Sequence, residues 1–353
     1  MRKRLCAVPA AAIAVSFMIV GCQAPKLQTA GGNRGVGGRL YKIGDAKINI
    51  HCTEGYPRIW RTVYRETLEH FAEKWGRVGP LHIFLVENID WKRPEGAPAK
   101  DPRKLESSQK KLKRLFCKLQ GDDSDGERLD WKTGLHWAGW SIKPPCLTIT
   151  MTMSPYRDSR QFVIGPLHEY FHAYQSAYGC DEKAIHGNQM GQSLWRGPAW
   201  WSEGSAVLVA GLYSCRHPEL FKRLSKPYSW EAFQREMNRN LKAYRKSAVD
   251  IRKGVTYDDW NRLKKDKLVH PVIYAGGSAA CALLLKKAGS LQRFMEFFPR
   301  VDELGWEGAF EKHFQMTLEE FYKEFDQFSR SAAEQLKTES STENWCDFLK
   351  RMK

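Results

Sequence analysis

The stretch HEYFHAYQ, residues 168–175, holds the residue types whose spacing points most directly to chemistry. On an α-helix, positions i and i+4 lie on one face, so the imidazoles of His168 and His172 would converge on one point. This spacing is typical of a pair of zinc ligands. Glu169 would then lie beside the metal, where a carboxylate can take a proton from a bound water. The alternative is the inward face of an ordinary helix.

A catalytic zinc ion of this kind needs a third protein ligand and one position that stays open for water. Glu203, 31 positions after His172, is the candidate, because it lies in the apolar segment GPAWWSEGSAVLVAG. A carboxylate in such a segment is costly unless it is paired or binds a metal. The alternative is that Glu203 faces solvent at the start of a helix.

Apolar spacing predicts mixed secondary structure in the N-terminal half. The segment RIWRTVYRETLEHFAEKWG has helical spacing and ends at Gly76, and PLHIFLVEN is typical of a short buried strand. The segments GLHWAGWSI and CLTITMTM flank KPP, which predicts a hairpin. The charged stretch KDPRKLESSQKKLKRLFCKLQ favours an exposed helix, within a surface insertion at about residues 90–132.

The second half is predicted to be mainly helical. The helix that carries HEYFH has Asp158 or Ser159 as its N-cap and ends at Gly179. Thr317 and Glu320 form a capping-box pattern at a later helix start. Further helices are predicted at 199–213, 274–287 and 317–330.

The N-terminus has the pattern of an export signal. A basic start, MRKR, precedes an apolar run from Leu5 to Val20 that is too short for a comfortable membrane span. The residues IVGC resemble the lipobox of bacterial lipoproteins, which implies lipidation of Cys22 and a body anchored to a membrane outside the cytoplasm. The polar, glycine-rich segment that follows, to about residue 45, favours a flexible tether. The alternative is a plain signal peptide cut at another small residue.

The chain is strongly basic, with a formal net charge of +16. Removing the three basic residues of the signal leaves +13 for the mature chain. Such a surface would attract a membrane's anionic headgroups, anionic envelope polymers or acidic substrates. The chain has no nucleic-acid motif, so no nucleic-acid partner is predicted. Solvated lysine and arginine faces are the simpler explanation of the charge.

Seven of the nine cysteines lie after Cys22. Cys281 falls in the apolar helical pattern SAACALLLKKAG and is expected to be a buried thiol. In an exported protein the other six could form three disulfides, with connectivity that the sequence leaves open. They are Cys52, Cys117, Cys146, Cys180, Cys215 and Cys346.

The segments HEYFHAYQ and PAWWSEGSA resemble the gluzincin metallopeptidases, in particular the peptidase MA-like group. The likeness covers roughly residues 58–330, and HExxH and WxxEG are its specific parts. It implies an α+β fold, with a small twisted sheet whose edge strand borders the cleft and a mainly helical C-terminal part. By position, His168, His172 and Glu203 match the ligands of one Zn2+ ion and Glu169 the catalytic base.

These patterns together divide the chain, and the resemblance to gluzincins suggests further site residues. The divisions are a signal at 1–21, a tether at 22–45, an α/β subdomain at 46–155, a helical catalytic subdomain at 156–330 and a tail at 331–353. The HWAGW segment resembles the edge strand on which such enzymes lay a substrate backbone by β-addition. Its substrate contacts would be Trp137, Ala138, Gly139 and Trp140, although tryptophans in such a strand are as often core residues.

A donor to the tetrahedral oxyanion is also expected in a zinc peptidase site. Tyr274, just before a glycine-rich helix start, is the first candidate and His270 the second. A tyrosine in this place is as often a buried anchor. His186, in a polar segment, is more simply solvated than a ligand.

Other zinc classes fit the sequence less well. A metzincin would have glycine and histidine where this chain has Gln175 and Tyr178. Several gluzincin families place an aspartate, which orients a ligand histidine, at the position of Val207, so that support must come from elsewhere. The sequence predicts a lipid-anchored metallopeptidase of the bacterial cell envelope acting on peptides or proteins. The alternatives are an inactive envelope binding or assembly protein and a purely structural helix pair.

Overall fold

A computed structural model describes ten segments of the chain and shows an α+β fold. A small mixed sheet lies in the N-terminal half, and the C-terminal half is helical. No helix within these segments is long and apolar enough to cross a membrane. The segments are 42–43, 47–87, 101–119, 136–142, 145–151, 161–179, 197–221, 228–254, 257–336 and 345–352.

The main sheet has four strands, in the spatial order β2, β4, β6, β5. The first three run parallel, and β5 pairs antiparallel with β6, so the predicted hairpin is confirmed. A two-residue strand β1 pairs antiparallel with β3 beside this sheet. The strands are β1 Lys42–Ile43, β2 Ile48–Cys52, β3 Val78–Gly79, β4 Leu81–Leu85, β5 His136–Ile142 and β6 Pro145–Met151.

Strand β4 is buried on both faces because two helices cover the sheet. Its alternate residues Leu81 and Ile83 join the main core together with helix α1, Arg58–Trp75. Phe84 points the other way, into a separate cluster with helix α2, Pro102–Leu119. The charged helix α2 is therefore exposed on one side only. Its opposite side buries Leu105, Leu112, Phe116 and Cys117.

The helical half follows the predicted order with one irregularity. The predicted helices at 199–213, 274–287 and 317–330 are present, and the capping box of Thr317 and Glu320 is confirmed. The irregularity is a π-helical turn at His270–Gly276, directly before the helix that begins at Gly277. Asp158 and Ser159 lie outside the described residues. The helices are α3 Gln161–Gly179, α4 Ala199–Arg216, α5 Trp230–Ser247, α6 Tyr257–Lys265, α7 Gly277–Ala288, α8 Leu291–Met295, α9 Phe298–Phe314, α10 Leu318–Gln335 and α11 Phe348–Arg351.

Helix α4 lies at the centre of the helical half. It packs against α3 on one side and α7 on another, and residues on every face of it are buried, as expected for a helix that is apolar all round. Trp201, near its start, is almost fully buried in a group of aromatic rings. This packing fixes the position of the first turn of α4. The rings around Trp201 belong to Trp200, Phe294, Phe297, Phe298, Trp306 and Phe314.

The expectation of three disulfides is wrong. Cys52 and Cys215 are free thiols, so the six candidate cysteines cannot all be paired. Burial raises the pKa of each of these two thiols to about 12, and Cys215 donates to the Leu212 carbonyl of its own helix. Both therefore behave as core residues. Cys281 is fully buried, as expected.

Candidate metal centre

Helix α3 holds the HEYFH residues in a fixed orientation. It packs against α1, α4 and α9. Tyr170, inside the motif, donates a hydrogen bond to the Gly76 carbonyl (2.9 Å) and accepts one from the Val78 amide (3.1 Å). These bonds tie α3 to the connection between α1 and β3, so the neighbouring side chains of the motif have a rigid support.

Three of the predicted site residues come together between α3 and α4. His168 Nε2 and His172 Nε2 are 3.0 Å apart. Glu203 Oε2 lies 3.3 Å from the first of these nitrogens and 3.2 Å from the second. The side chains are 11–14% exposed, so Glu203 faces the histidines rather than solvent. Two helices distant in sequence thus place three metal-binding atoms at one point.

Gln175 fixes the tautomer of His172. The Gln175 amide nitrogen donates to the Ser202 carbonyl (3.0 Å), which can only accept, so the amide oxygen must be the atom that faces His172 Nδ1 at 2.8 Å. His172 Nδ1 therefore carries a hydrogen. In the neutral ring the lone pair is then on Nε2, which points at Glu203 and His168.

The same amide links the two helices that carry the site. Its nitrogen also donates to Ser205 Oγ (2.8 Å), and Ser205 in turn donates to the Trp201 carbonyl (2.7 Å). Gln175 thus joins the last part of α3 to the first turns of α4. In several gluzincin families an aspartate at the position of Val207 orients a histidine ligand. Here the Gln175 amide orients His172 instead.

The charges at the centre are strongly coupled. Burial by itself would lower the pKa of His172, but the Glu203 carboxylate outweighs it and raises that pKa to about 9. Burial would raise the pKa of Glu203, yet the two histidines hold it well below its ordinary value. The imidazole and the carboxylate therefore each favour the charged form of the other. A bound cation would take the place of the imidazolium proton.

Glu169 lies beside this pair and is only 3% exposed. Burial raises its pKa above the ordinary value, the two histidines oppose this shift, and the Glu203 carboxylate adds to it. A carboxylate with a raised pKa accepts a proton more readily than an ordinary carboxylate does. This is the electrostatic environment that a general base requires.

Tyr274 reaches the same centre from the π-helical turn. Its ring stacks on that of His168, with the ring centroids 6.4 Å apart. Its hydroxyl is buried without a hydrogen bond of good geometry among the described residues. Burial, together with the nearby carboxylates of Glu203 and Glu169, holds its pKa well above the ordinary value. A protonated phenol at the centre is thus a donor that faces the Glu203 carboxylate.

A backbone contact sets the distance between the helix of Glu203 and the segment of Tyr274. A methyl group on Gly204 would overlap the backbone of Gly277, and one on Gly277 would overlap the Trp200 carbonyl. The helices α4 and α7 therefore touch backbone to backbone. Because Gly204 follows Glu203 directly, this contact brings the phenol close to the carboxylate.

The donor set fits Zn2+. Two histidines and one glutamate are a ligand set of catalytic zinc, which leaves a position for water. Ligand atoms about 2.1 Å from one tetrahedral ion lie about 3.4 Å from one another, close to the separations of 3.0–3.3 Å seen here. The His172 tautomer is also the one that can bind a metal.

Other predicted residues are placed only in part. Strand β5 has the HWAGW backbone at the edge of the main sheet, in contact with α3. The side chains of Trp137, Ala138, Gly139 and Trp140 lie outside what the structure describes. His270 stacks on Tyr274 (centroids 6.1 Å apart) and is one ring further from His168. Cys22 and His186 fall outside the described residues.

Sequence reasoning missed the role of Gln175. The sequence did contain a signal for this role, because an amide three residues after His172 on an inward-facing helix must find hydrogen-bond partners when it is buried.

Comparisons of the chain with protein families, with curated proteins and with solved structures find no match. The chemistry of this centre therefore has to be inferred from its own geometry.

Proposed function

We propose that this protein is a zinc-dependent metallopeptidase of the gluzincin type. The observation that carries the proposal is the convergence of His168, His172 and Glu203 from two helices, with a buried Glu169 beside them. A purely structural helix pair offers no reason for a buried carboxylate next to an ion pair, since unpaired buried charge is costly. A hydrolytic site needs that carboxylate as its base.

In this proposal His168, His172 and Glu203 hold the ion, which would act as a Lewis acid and lower the pKa of a bound water. Glu169 accepts the proton of the attacking water and then delivers it to the leaving amine. The Tyr274 hydroxyl, which lies beside the Glu203 carboxylate, donates a hydrogen bond to the oxyanion. Gln175 keeps the His172 ring oriented throughout.

The edge strand β5 is the proposed binding surface for the substrate backbone. It pairs with β6 on one side and runs beside α3, which carries the catalytic residues. An extended peptide can add to such an edge through main-chain hydrogen bonds. Residues 137–140 would then be the substrate contacts, and the scissile bond would lie near Glu169.

The N-terminal pattern supports a role for this activity in the cell envelope. A lipidated Cys22 and the tether after it would hold the folded part near a membrane, where its basic surface could meet anionic polymers. Replacing Cys22 with alanine should release the protein from the membrane fraction and abolish incorporation of labelled fatty acid. Unchanged fractionation and labelling would contradict the anchor.

The peptidase proposal is tested by replacing Glu169 with glutamine. The amide keeps the shape of the side chain but cannot accept the proton, so hydrolysis of a peptide library should fall by about 10²–10⁴-fold. Zinc content should be unchanged, because Glu169 is not a ligand. The matched control is Glu73→Gln, an exposed carboxylate on α1 outside the site, which should behave as the wild type.

Two outcomes would overturn the proposal. Hydrolysis by the Glu169→Gln protein at the wild-type rate would reject the assigned base. If the metal-loaded wild-type protein cleaves no member of the library, the protein binds zinc but is not a peptidase.

A further inference from the structure

A second group of two histidines and one glutamate lies where α1 meets the end of α4. His70 is on α1, His217 directly follows α4, and Glu219 lies in the 3-10 turn Pro218–Phe221. Glu219 Oε1 is 2.8 Å from His217 Nδ1 and 3.9 Å from His70 Nε2. One ligand atom from each of the three side chains lies within 4.8 Å of the others.

Tyr213 fixes the orientation of His70. Its hydroxyl oxygen lies 2.6 Å from His70 Nδ1 and 3.1 Å from the His70 carbonyl oxygen. A carbonyl can only accept, and the phenol has one proton, so both contacts are hydrogen bonds only if the phenol donates to the carbonyl and Nδ1 donates to the phenol. The free lone pair of His70 is then on Nε2, the atom that faces Glu219.

We propose that His70, His217 and Glu219 form a second site for a divalent transition-metal ion, distinct from the centre on α3. Imidazole and carboxylate are suitable ligands for Zn2+ and its neighbours, and an outer hydrogen bond to the ligand histidine is usual in such sites. Tyr213 supplies that bond. The ion would join α1 to the end of α4, and its role would be structural.

The partial exposure of the group agrees with this role. The side chain of Glu219 is 44% exposed and that of His217 28% exposed, so an ion can reach the site from solvent and retain water ligands. The two rings are already in contact, with centroids 4.6 Å apart. Small side-chain rotations would bring all three ligand atoms around one ion without moving a helix.

The test is a zinc titration of the full chain without a polyhistidine tag. Metal is first removed with a chelator, and Zn2+ is added back against a chromophoric competitor. The background is the His168→Ala, His172→Ala double variant, which lacks the α3 centre. We expect one zinc equivalent to bind in this background. Adding His217→Ala should weaken that binding at least about tenfold, since one of three ligands is lost.

Tyr213→Phe separates a metal site from a mere hydrogen-bonded cluster. It removes the acceptor of the His70 N–H together with the bond to the His70 carbonyl, so zinc affinity in the same background should fall by about 10–100-fold while the fold is kept. The control Glu73→Gln removes a carboxylate one turn from His70 that acts on the His70 ring only through its charge, so it should change the affinity much less than Tyr213→Phe does.

Absence of zinc binding in the folded double-variant background would overturn the proposal, and so would an affinity that His217→Ala does not change. If the background does not fold, the wild type and His217→Ala alone decide the question. Two zinc equivalents in the wild type and one in the variant support the second site, whereas equal stoichiometry rejects it. Zinc binding at the α3 centre is measured separately from binding at the second group. If one of the two fails to bind zinc, the result for the other still stands.

Discussion

The two groups of histidine and glutamate in this protein share a donor set but differ in their surroundings. Around His168, His172 and Glu203, every side chain is at most 14% exposed, and Glu169 and Tyr274 lie alongside. Around His70, His217 and Glu219, the side chains are 28–44% exposed. In each group one histidine is oriented through a hydrogen bond from Nδ1, to Gln175 in the first and to Tyr213 in the second.

The difference shows what turns a ligand set into a candidate active site. Both groups have atoms that can bind a cation, so the ligands alone do not distinguish them. The buried group adds a carboxylate that can accept a proton and a protonated phenol, in a site shielded from solvent where both interactions are strong. Among the described residues, the exposed group has no buried carboxylate beside its ligand atoms that could serve as a base.

Gly204→Ala should have the largest effect, because it separates the elements of the buried group. The added methyl overlaps the Gly277 backbone, which cannot move without shifting α7. We expect a loss of about 3 kcal/mol in the free energy of unfolding and loss of zinc from the buried group. Denaturant unfolding and zinc stoichiometry measure this. Gly308→Ala in α9, where the new methyl would lie 3.3 Å from Leu304 Cβ, should change stability by less than about 1 kcal/mol.

Tyr274→Phe should lower the rate of hydrolysis but leave both groups able to bind zinc. The ring contact with His168 remains, and only the donor to the oxyanion is removed. We expect kcat to fall about 10²-fold, with little change in KM. Steady-state kinetics with metal analysis checks this. Wild-type kcat would show that the phenol is only a packing residue.

Gln175→Leu should weaken zinc binding at the buried group alone. The His172 N–H loses its acceptor, which typically costs about 10–100-fold in metal affinity. The comparison with Tyr213→Phe is direct, since each variant should affect one group only. Gln234→Leu, which loses a hydrogen bond to Asp347 and belongs to neither group, serves as the control. Equal affinities in the Gln175 and Gln234 variants would contradict the role assigned to Gln175.

Another histidine pair, on the sheet, has no carboxylate partner among the residues that the structure describes and should respond to acid instead. His51 Nε2 and His82 Nδ1 are 2.9 Å apart on neighbouring strands, and burial, with the His51 ring, lowers the pKa of His82 from 6.5 to about 4. The unfolded chain thus binds this proton more readily. The pair's contribution to stability is complete above pH 6.5 and is lost as the pH falls through 4.

His82→Gln should therefore reduce the acid sensitivity of the protein. We expect about 1 kcal/mol less destabilisation between pH 7 and pH 4.5 than in the wild type, a modest value because the pair is partly solvated. This corresponds to a difference of about 2–4 °C in Tm. Thermal unfolding at pH 8, where both imidazoles are neutral, gives the reference. If Tm falls equally with pH in the variant and in the wild type, the pair does not change its protonation on unfolding.

Much of the fold and the centre could be predicted from local patterns. Apolar spacing located helix α1, the hairpin and the helix of HEYFH, because periodicity reports directly which residues face the core. Glu203 could be selected because a carboxylate in an apolar segment, just after two tryptophans, needs a partner. Neither inference requires knowledge of how distant segments pack.

What could not be predicted depends on tertiary contacts. The role of Gln175 follows from the Ser202 carbonyl, which belongs to another helix, and the grouping of His70 with His217 depends on how α1 meets α4. The failure of the disulfide prediction has the same origin. Spacing gives no distance between cysteines, and Cys215 is a core thiol turned to its own helix backbone.

The π-helical turn at His270–Gly276 has a consequence for how this site tolerates changes in chain length. Its hydrogen bonds close over five residues instead of four, the usual result of a one-residue insertion into an α-helix. Deleting one residue there would restore a regular α-helix. The Tyr274 side chain would then be rotated by about 100° around the helix axis. An alkyl side chain from a neighbouring position would then face the proposed ion site, although every residue proposed to act in catalysis would still be present in the chain.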